Sequence, residues 1–336
     1  MRRKPNVAAP TRRTFGGLVG AAVAAAASPG LGAPSRRRAL IAAPTNLGLR
    51  PLRPGHVPGA WRAPEALEAA GLADALGIAR TTRLERPPYD PEPAQGSRIR
   101  NGQALRLFSE TLAKAVAEAL DEDLFPVVVG GDCSILLGCL AGTRRSGPVG
   151  LVHVDGHSDF YHPGNYDAAS RPGSAAGMDL ALATGRGEPL LALWDGAPLV
   201  ADALVSQIGE RDELDPDYDY RDIEATRIRR YPVRAVQRSG VASTVAAVLA
   251  PVEGREPPLW LHVDLDVLDQ TVMPAVDSPG SPGLSYAALT ELVGRLLGSG
   301  RVIGLDVAIY DPDLDPEGAH ARRIVDCLAG AFAWRS

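Results

Sequence analysis

The chain has 336 residues, of which 45% are hydrophobic and 22% charged. That is an ordinary balance for a soluble globular protein, and enough chain for one large α/β domain or two small ones. A net charge of -5 gives no nucleic-acid footprint, and three cysteines (Cys133, Cys139, Cys327) are too few, and odd in number, for a disulfide framework.

The N-terminal stretch differs from the rest. Arg12 and Arg13, followed by Thr14 and Phe15, precede a run of small apolar residues over 16–27. This pattern looks like a twin-arginine export signal, with Ala25, Ala26 and Ala27 offering a cleavage point. The run is too short to span a bilayer. The expectation is therefore an exported protein, periplasmic or extracellular, with 1–36 outside the fold and 37–336 as a single domain. Otherwise the tail is a disordered extension and the protein is cytoplasmic.

From residue 39 onward, apolar strand-type runs alternate with helical patterns. A strand at 39–44 is followed by a helical stretch over 61–71, with Pro64, Leu67 and Ala70 on one side. A second strand is expected over 81–86, then a Pro-rich surface loop over 87–98. Leu105, Leu107, Leu112, Val116 and Leu120 mark a long amphipathic helix over 101–120. Strands follow at 125–129, 149–154, 203–208, 226–231, 259–264 and 302–309. Between and after them lie helices at 134–141, 175–183, 233–249, 285–297 (capped by Ser285) and 318–332. Near-continuous apolar strands alternating with helices imply an α/β fold: three layers around a mainly parallel sheet of roughly eight strands.

The chemistry sits where these strands end. The run 151–154 passes into Asp155, His157 and Asp159, an Asp-x-His-x-Asp pattern, and the run 259–263 into Asp264 and Asp266. Side chains alternate along a strand, so residues two apart share a face. Carboxylates and an imidazole crowded in this way require a cation, and two strand ends delivering them suit one or two hard divalent metals. A single such Asp would be read as a helix or turn cap. Five ligand-type residues on two strands are not. His153 and His262 lie two residues before Asp155 and Asp264, one layer deeper on the same side, and as strand histidines are read as supporting or packing groups.

Gly-Gly-Asp-x-Ser at 130–134, then Asp-x-His-x-Asp, then Asp-x-Asp-x-x-Asp ending at Asp269 resemble the arginase, agmatinase and formiminoglutamase family, the ureohydrolases. Ile208-Gly209-Glu210-Arg211-Asp212 and the Pro/Gly-rich loop 274–285 are similar to further segments of that family. The resemblance implies a hydrolase that cuts a linear C–N bond of a guanidino or amidine compound with two manganese ions and the hydroxide they share. It further implies that Asp155 and Asp264 bridge the metals. Asp159 and the residue at Cys133 complete one, and His157 and Asp266 the other. Asp159 is then also the proton carrier. A trimer or hexamer acting on a small molecule, without nucleic acid or membrane insertion, is the implied state.

Three positions depart from the family pattern. Cys133 stands where the family has a metal-binding histidine; as a thiolate ligand it tilts preference toward Zn²⁺ or Fe²⁺, and as an inert buried thiol it leaves that metal weak or absent. Ile309 occupies the place of the guanidinium-pairing Glu, leaving Asp311 or Asp313 to supply that charge from a shifted position, with Asp212 as a further substrate-contacting acid. Ala176 replaces the histidine of a His-Gly pair, leaving His162 as the nearby proton-carrying candidate. These losses also fit a catalytically silent relative that serves as a binding or assembly protein.

Overall fold

In the computed structural model the described residues are 36–335, apart from 93–97, 167–172, 215–220 and 253. The expected export signal at Arg12 and Arg13 lies outside them. Eight strands form one sheet: β1 (Arg38–Ala43), β2 (Ile78–Arg83), β3 (Phe125–Gly130), β4 (Gly150–Val154), β5 (Val205–Ile208), β6 (Arg229–Tyr231), β7 (Leu259–Asp264) and β8 (Val302–Ala308). Their order is β2-β1-β3-β8-β7-β4-β5-β6, and every pairing is parallel. The α/β class with a central parallel sheet is thus as expected from the strand–helix alternation.

The central strands are the apolar ones. β3, β4 and β7 are buried along their whole length, as a strand covered on both faces must be. Two groups of helices do the covering. One packs Gly102–Asp121 against Ile135–Thr143, with Asp179–Ala183 alongside; the other packs Tyr286–Gly298 against Ala319–Phe332. The Ser285 cap is present, its Oγ accepting from Ala288 N at 3.2 Å.

Several elements differ from expectation; β6, for instance, begins at Arg229 rather than at 226. β2 begins three residues earlier than expected, because an edge strand that is only half-buried carries no apolar pattern to locate it. The stretch 175–183 is a 3₁₀ turn followed by the helix Asp179–Ala183. The expected helix 233–249 is two, Val233–Ser239 and Val241–Leu249, broken at Gly240 with φ 81° and ψ 155°. A β-carbon resists that backbone geometry, so glycine marks the break.

Leaving β3, the chain crosses over to β4 and later fills the gap with β7 and β8. Chain reversals of this kind open a crevice outside the C-terminal strand ends. Cys133 follows β3, Asp155 follows β4, Asp264 ends β7 and Ile309 follows β8.

Candidate metal centre

The acids converge in that crevice. Asp155, His157, Asp159, Asp264 and Asp266 are all at least 94% buried, and Cys133 is 98% buried. Cys133 Sγ lies 2.7 Å from Asp264 Oδ2, and His157 Nδ1 lies 2.8 Å from Asp266 Oδ2. Backbone amides aim the carboxylates. Asp155 Oδ1 accepts from His157 N at 2.6 Å, Asp264 Oδ1 from Asp266 N at 2.7 Å, and Asp266 Oδ1 from Gly156 N at 3.0 Å. Each strand end thereby turns into an Asx-type loop that points the next acid back into the crevice. Gly209, with φ 100°, lets the β5 exit pass close by, since a β-carbon there would sit 2.4 Å from Val267 and 3.2 Å from the Asp155 carbonyl.

This arrangement is electrostatically unbalanced. Burial pushes Asp155, Asp159 and Asp264 well above the usual carboxylate range, and the neighbouring carboxylates push the same way. The Cys133 thiol is raised by burial and then by Asp264. Asp266 is the exception. Burial raises it, but His157 and Arg211 outweigh that and bring it down to about 2. Asp155 Oδ2 is buried with no hydrogen-bond partner. His157, Asp155 and Asp266 each offer a donor atom within 4.8 Å of the others. The donor set therefore fits a divalent cation, which supplies the charge these oxygens face.

Arg211, 97% buried, ties the far wall. Its Nη1 donates to the Asp266 carbonyl at 3.0 Å and its Nη2 to that of Ser278 at 3.3 Å. A cavity of about 460 Å³ opens above the acids. Its lining includes Cys133, His157, Asp159, Asp264 and Asp266 below, with Ile309, Ala176, Tyr161, Tyr166 and Met178 on its walls. Arg50, Arg100 and Asp277 also line it. Burial raises Asp277 to about 6, against the pull of Arg50. Ile309 holds φ 72°, a left-handed conformation that a β-branched residue rarely adopts, and its N–H donates to the Gly131 carbonyl at 2.8 Å.

Three expected site residues lie elsewhere. His162 does not line the cavity; its Nε2 pairs with Asp222 Oδ2 at 2.5 Å and its Nδ1 accepts from Gly164 N, so both nitrogens are engaged in its own loop. Asp311 is used up holding backbone, accepting from Gly59 N at 3.0 Å and Asp313 N at 2.9 Å. Asp212 accepts from Ser158 N at 3.1 Å, behind the metal motif; burial and then Glu210 raise it to about 7.

Beneath the crevice runs a polar row that the strand register assembles. Gln207 of β5, His153 of β4, His262 of β7 and Asp306 of β8 are successive register partners, so they share one face of the sheet. The two imidazoles stack, with centroids 4.7 Å apart and planes 22° from parallel. Burial lowers His153 to about 4. Asp179, the first residue of its helix and fully buried, reaches the same pair. Asp179 carried no signal in sequence, since it stands alone in a small-residue stretch.

A parallel sheet covered on both faces, with buried carboxylates and a histidine at the crevice over its strand ends, defines an α/β protein with a candidate metal site. The chain belongs to the arginase family, whose model matches residues 39–333. It is 30% identical to an arginase of Bacillus caldovelox over 286 residues, 80% of this chain and 91% of that one. A crystal structure of the Bacillus caldovelox arginase superposes with a TM-score of 0.76 at 27% identity, covering 89% of this chain and 99% of that one. The proclavaminate amidino hydrolase of Streptomyces clavuligerus shares the fold, with a TM-score of 0.64 at 20% identity over 88% of this chain and 91% of that one.

Proposed function

We propose that the protein is a metal-dependent hydrolase of a linear C–N bond, acting on a small guanidino or amidino compound. The observation that carries this reading is the convergence of His157, Asp159, Asp264 and Asp266 on the lining of one cavity, with Asp155 buried beside His157 and Asp266, and with too few cations among the described residues to balance them. Membership of the arginase family supports it. On this reading these five residues hold the metal, as a manganese pair, and Cys133 completes the set through its thiolate. Zn²⁺ or Fe²⁺ fits that softer donor. A bound divalent metal supplies Lewis acidity and makes water a nucleophile near neutral pH.

The chain's own residues do the rest. Asp159 lines the cavity from a left-handed turn, φ 46°, and is the carboxylate placed to move a proton to the departing nitrogen. Asp266 is fixed by Gly156 and Arg211 and His157 by Asp266, so the site is organised before substrate arrives. Ile309 and Ala176 give the cavity apolar wall where the family pattern has a Glu and a His, while Arg50 and Arg100 bring positive charge to its lining. That combination supports a substrate whose reacting end is a weakly charged amidine and whose remainder is acidic.

The test is a screen for ammonia or urea release by manganese- or zinc-loaded protein over guanidines, amidines and amides, with and without a carboxylate. Turnover that disappears in Asp266→Asn supports the reading. Binding of these compounds without turnover, at full metal occupancy, would instead favour a silent binding protein, for which Cys133, Ile309 and Ala176 in one cavity are the argument. Export through Arg12 and Arg13, and a trimeric or hexameric assembly, remain part of the proposal. Fractionation of the native host and light scattering test them.

A further inference from the structure

The polar row beneath the cavity has more acceptors than donors. Gln207 Nε2 donates to the His157 carbonyl at 2.7 Å, so its Oε1 is the atom facing His153 Nδ1. That nitrogen must then carry the hydrogen, and His153 Nε2 bears a lone pair. Trp260 Nε1 donates to Asp306 Oδ1 at 2.5 Å, and Asp306 Oδ2 sits 2.5 Å from His262 Nδ1. With the carboxylate accepting there, His262 Nε2 also bears a lone pair. A histidine whose outer N–H is anchored on a carboxylate or amide oxygen is how proteins present an imidazole to a metal.

Both Nε2 atoms point at carboxylate oxygens. His153 Nε2 is 3.2 Å from Asp179 Oδ1 and 3.8 Å from Asp155 Oδ2; His262 Nε2 is 3.7 Å from Asp179 Oδ2. All four residues are 0% exposed. Asp155 Oδ2, Asp179 Oδ2 and His262 Nε2 have no hydrogen-bond partner. One proton on Asp179 would satisfy a single one of these contacts and leave the other lone pairs facing one another. The donor atoms of His153, Asp155 and His262 all lie within 4.8 Å of one another, and an ion would draw them in toward the edges of about 3.4 Å that bonds of about 2.0–2.1 Å require.

We propose that His153, Asp155 and His262 form a divalent-cation site one layer beneath the cavity, with Asp179, beside both imidazoles, as the fourth donor that completes a tetrahedron when the ion binds. Two nitrogens and two oxygens with no open position suit Zn²⁺ in a structural role. The ion would pin β4, β7 and the helix Asp179–Ala183 together under the cavity floor. Asp155 is shared: its Oδ2 faces this site and its Oδ1 the cavity side. The site supplies imidazoles one layer below the position where Cys133 stands in place of a histidine. It is independent of whether the protein hydrolyses anything.

The test counts imidazoles on the ion. Full-length protein is loaded with less than one equivalent of Zn²⁺ and examined by X-ray absorption. Two imidazoles and no sulfur per zinc are expected, because the cavity side offers only His157. One imidazole, or a sulfur ligand, would overturn the proposal while leaving the hydrolase reading intact. In parallel, His157→Ala/Asp266→Asn protein is loaded with Co²⁺. It should retain one ion per chain with the strong visible absorption of a tetrahedral site and without thiolate charge transfer. Adding His262→Gln should abolish that ion. Loss of cobalt in the double variant, or its retention after His262→Gln, would refute the site. The X-ray experiment needs no variant, so a misfolded His262 mutant does not shield the idea.

Discussion

Replacing Arg211 with methionine tests whether this guanidinium braces the metal centre. Its two fork nitrogens join the β7 exit at Asp266 to the loop at Ser278, and it lies so close to Gly156 and Gly280 that a β-carbon on either would fall within 2.3 Å of it. Methionine fills much of the same space but donates to neither carbonyl. A hydrogen bond from a charged donor contributes about 1.5–3 kcal/mol. The bond to Asp266, at 3.0 Å, is buried, whereas the one to Ser278, at 3.3 Å and part-buried, is worth less. Removing a buried cation also recovers some desolvation. A net destabilisation of about 2–4 kcal/mol follows, together with weaker metal binding as Asp266 loses its brace. Urea unfolding of metal-stripped and metal-loaded protein reads both. A change below about 1 kcal/mol in the stripped protein, with metal affinity unaltered, would show that Arg211 is a spectator.

Three further outcomes follow from the geometry. Asp277, raised by burial to about 6 from an ordinary 3.8, favours the folded state fully only below pH 3.8 and loses that contribution as pH rises through about 6. Relative to wild type, Asp277→Asn should therefore gain up to about 3 kcal/mol between those limits, at about 1.4 kcal/mol per pH unit; melting curves from pH 3.5 to 7 that stay parallel would contradict this. Gly240→Ala, at φ 81° and ψ 155°, should destabilise by about 1–3 kcal/mol without touching the cavity, checked by denaturant unfolding and metal content. Ile309→Glu places a carboxylate in the cavity wall and removes a β-branch from a left-handed backbone. Guanidinium ion should then bind metal-loaded protein about tenfold more tightly by calorimetry, roughly 1.4 kcal/mol, and unchanged affinity would argue against Ile309 as the residue that sets charge preference.

Much of this protein is legible in one dimension. β3, β4 and β7 stand out because a strand covered on both faces must be apolar along its length, and such runs are bounded by turn residues. The acids at Asp155, Asp159, Asp264 and Asp266 are visible for the same reason: they end those runs at regular spacing, although past the strand ends it is Asx-type turns, not strand alternation, that aim them into the crevice. The edge strand β2 and the break at Gly240 are not. An exposed edge needs no apolar pattern, and a glycine in a helical stretch reads equally as tolerated or as a stop.

Only the tertiary structure decided which lone residues matter. Asp179 sits 24 residues beyond Asp155 and 83 before His262, with no local pattern linking them. Packing of its helix over β4 and β7 brings its carboxylate between the two imidazoles. The row Gln207, His153, His262 and Asp306 exists only in the pairing register of four strands from distant parts of the chain. Conversely, His162 and Asp311 have the right chemistry at attractive positions, but local hydrogen bonds spend it on their own loops. Residue type and spacing along a strand determine which face a side chain takes; which faces meet depends on sheet order and helix packing, which no local spacing encodes.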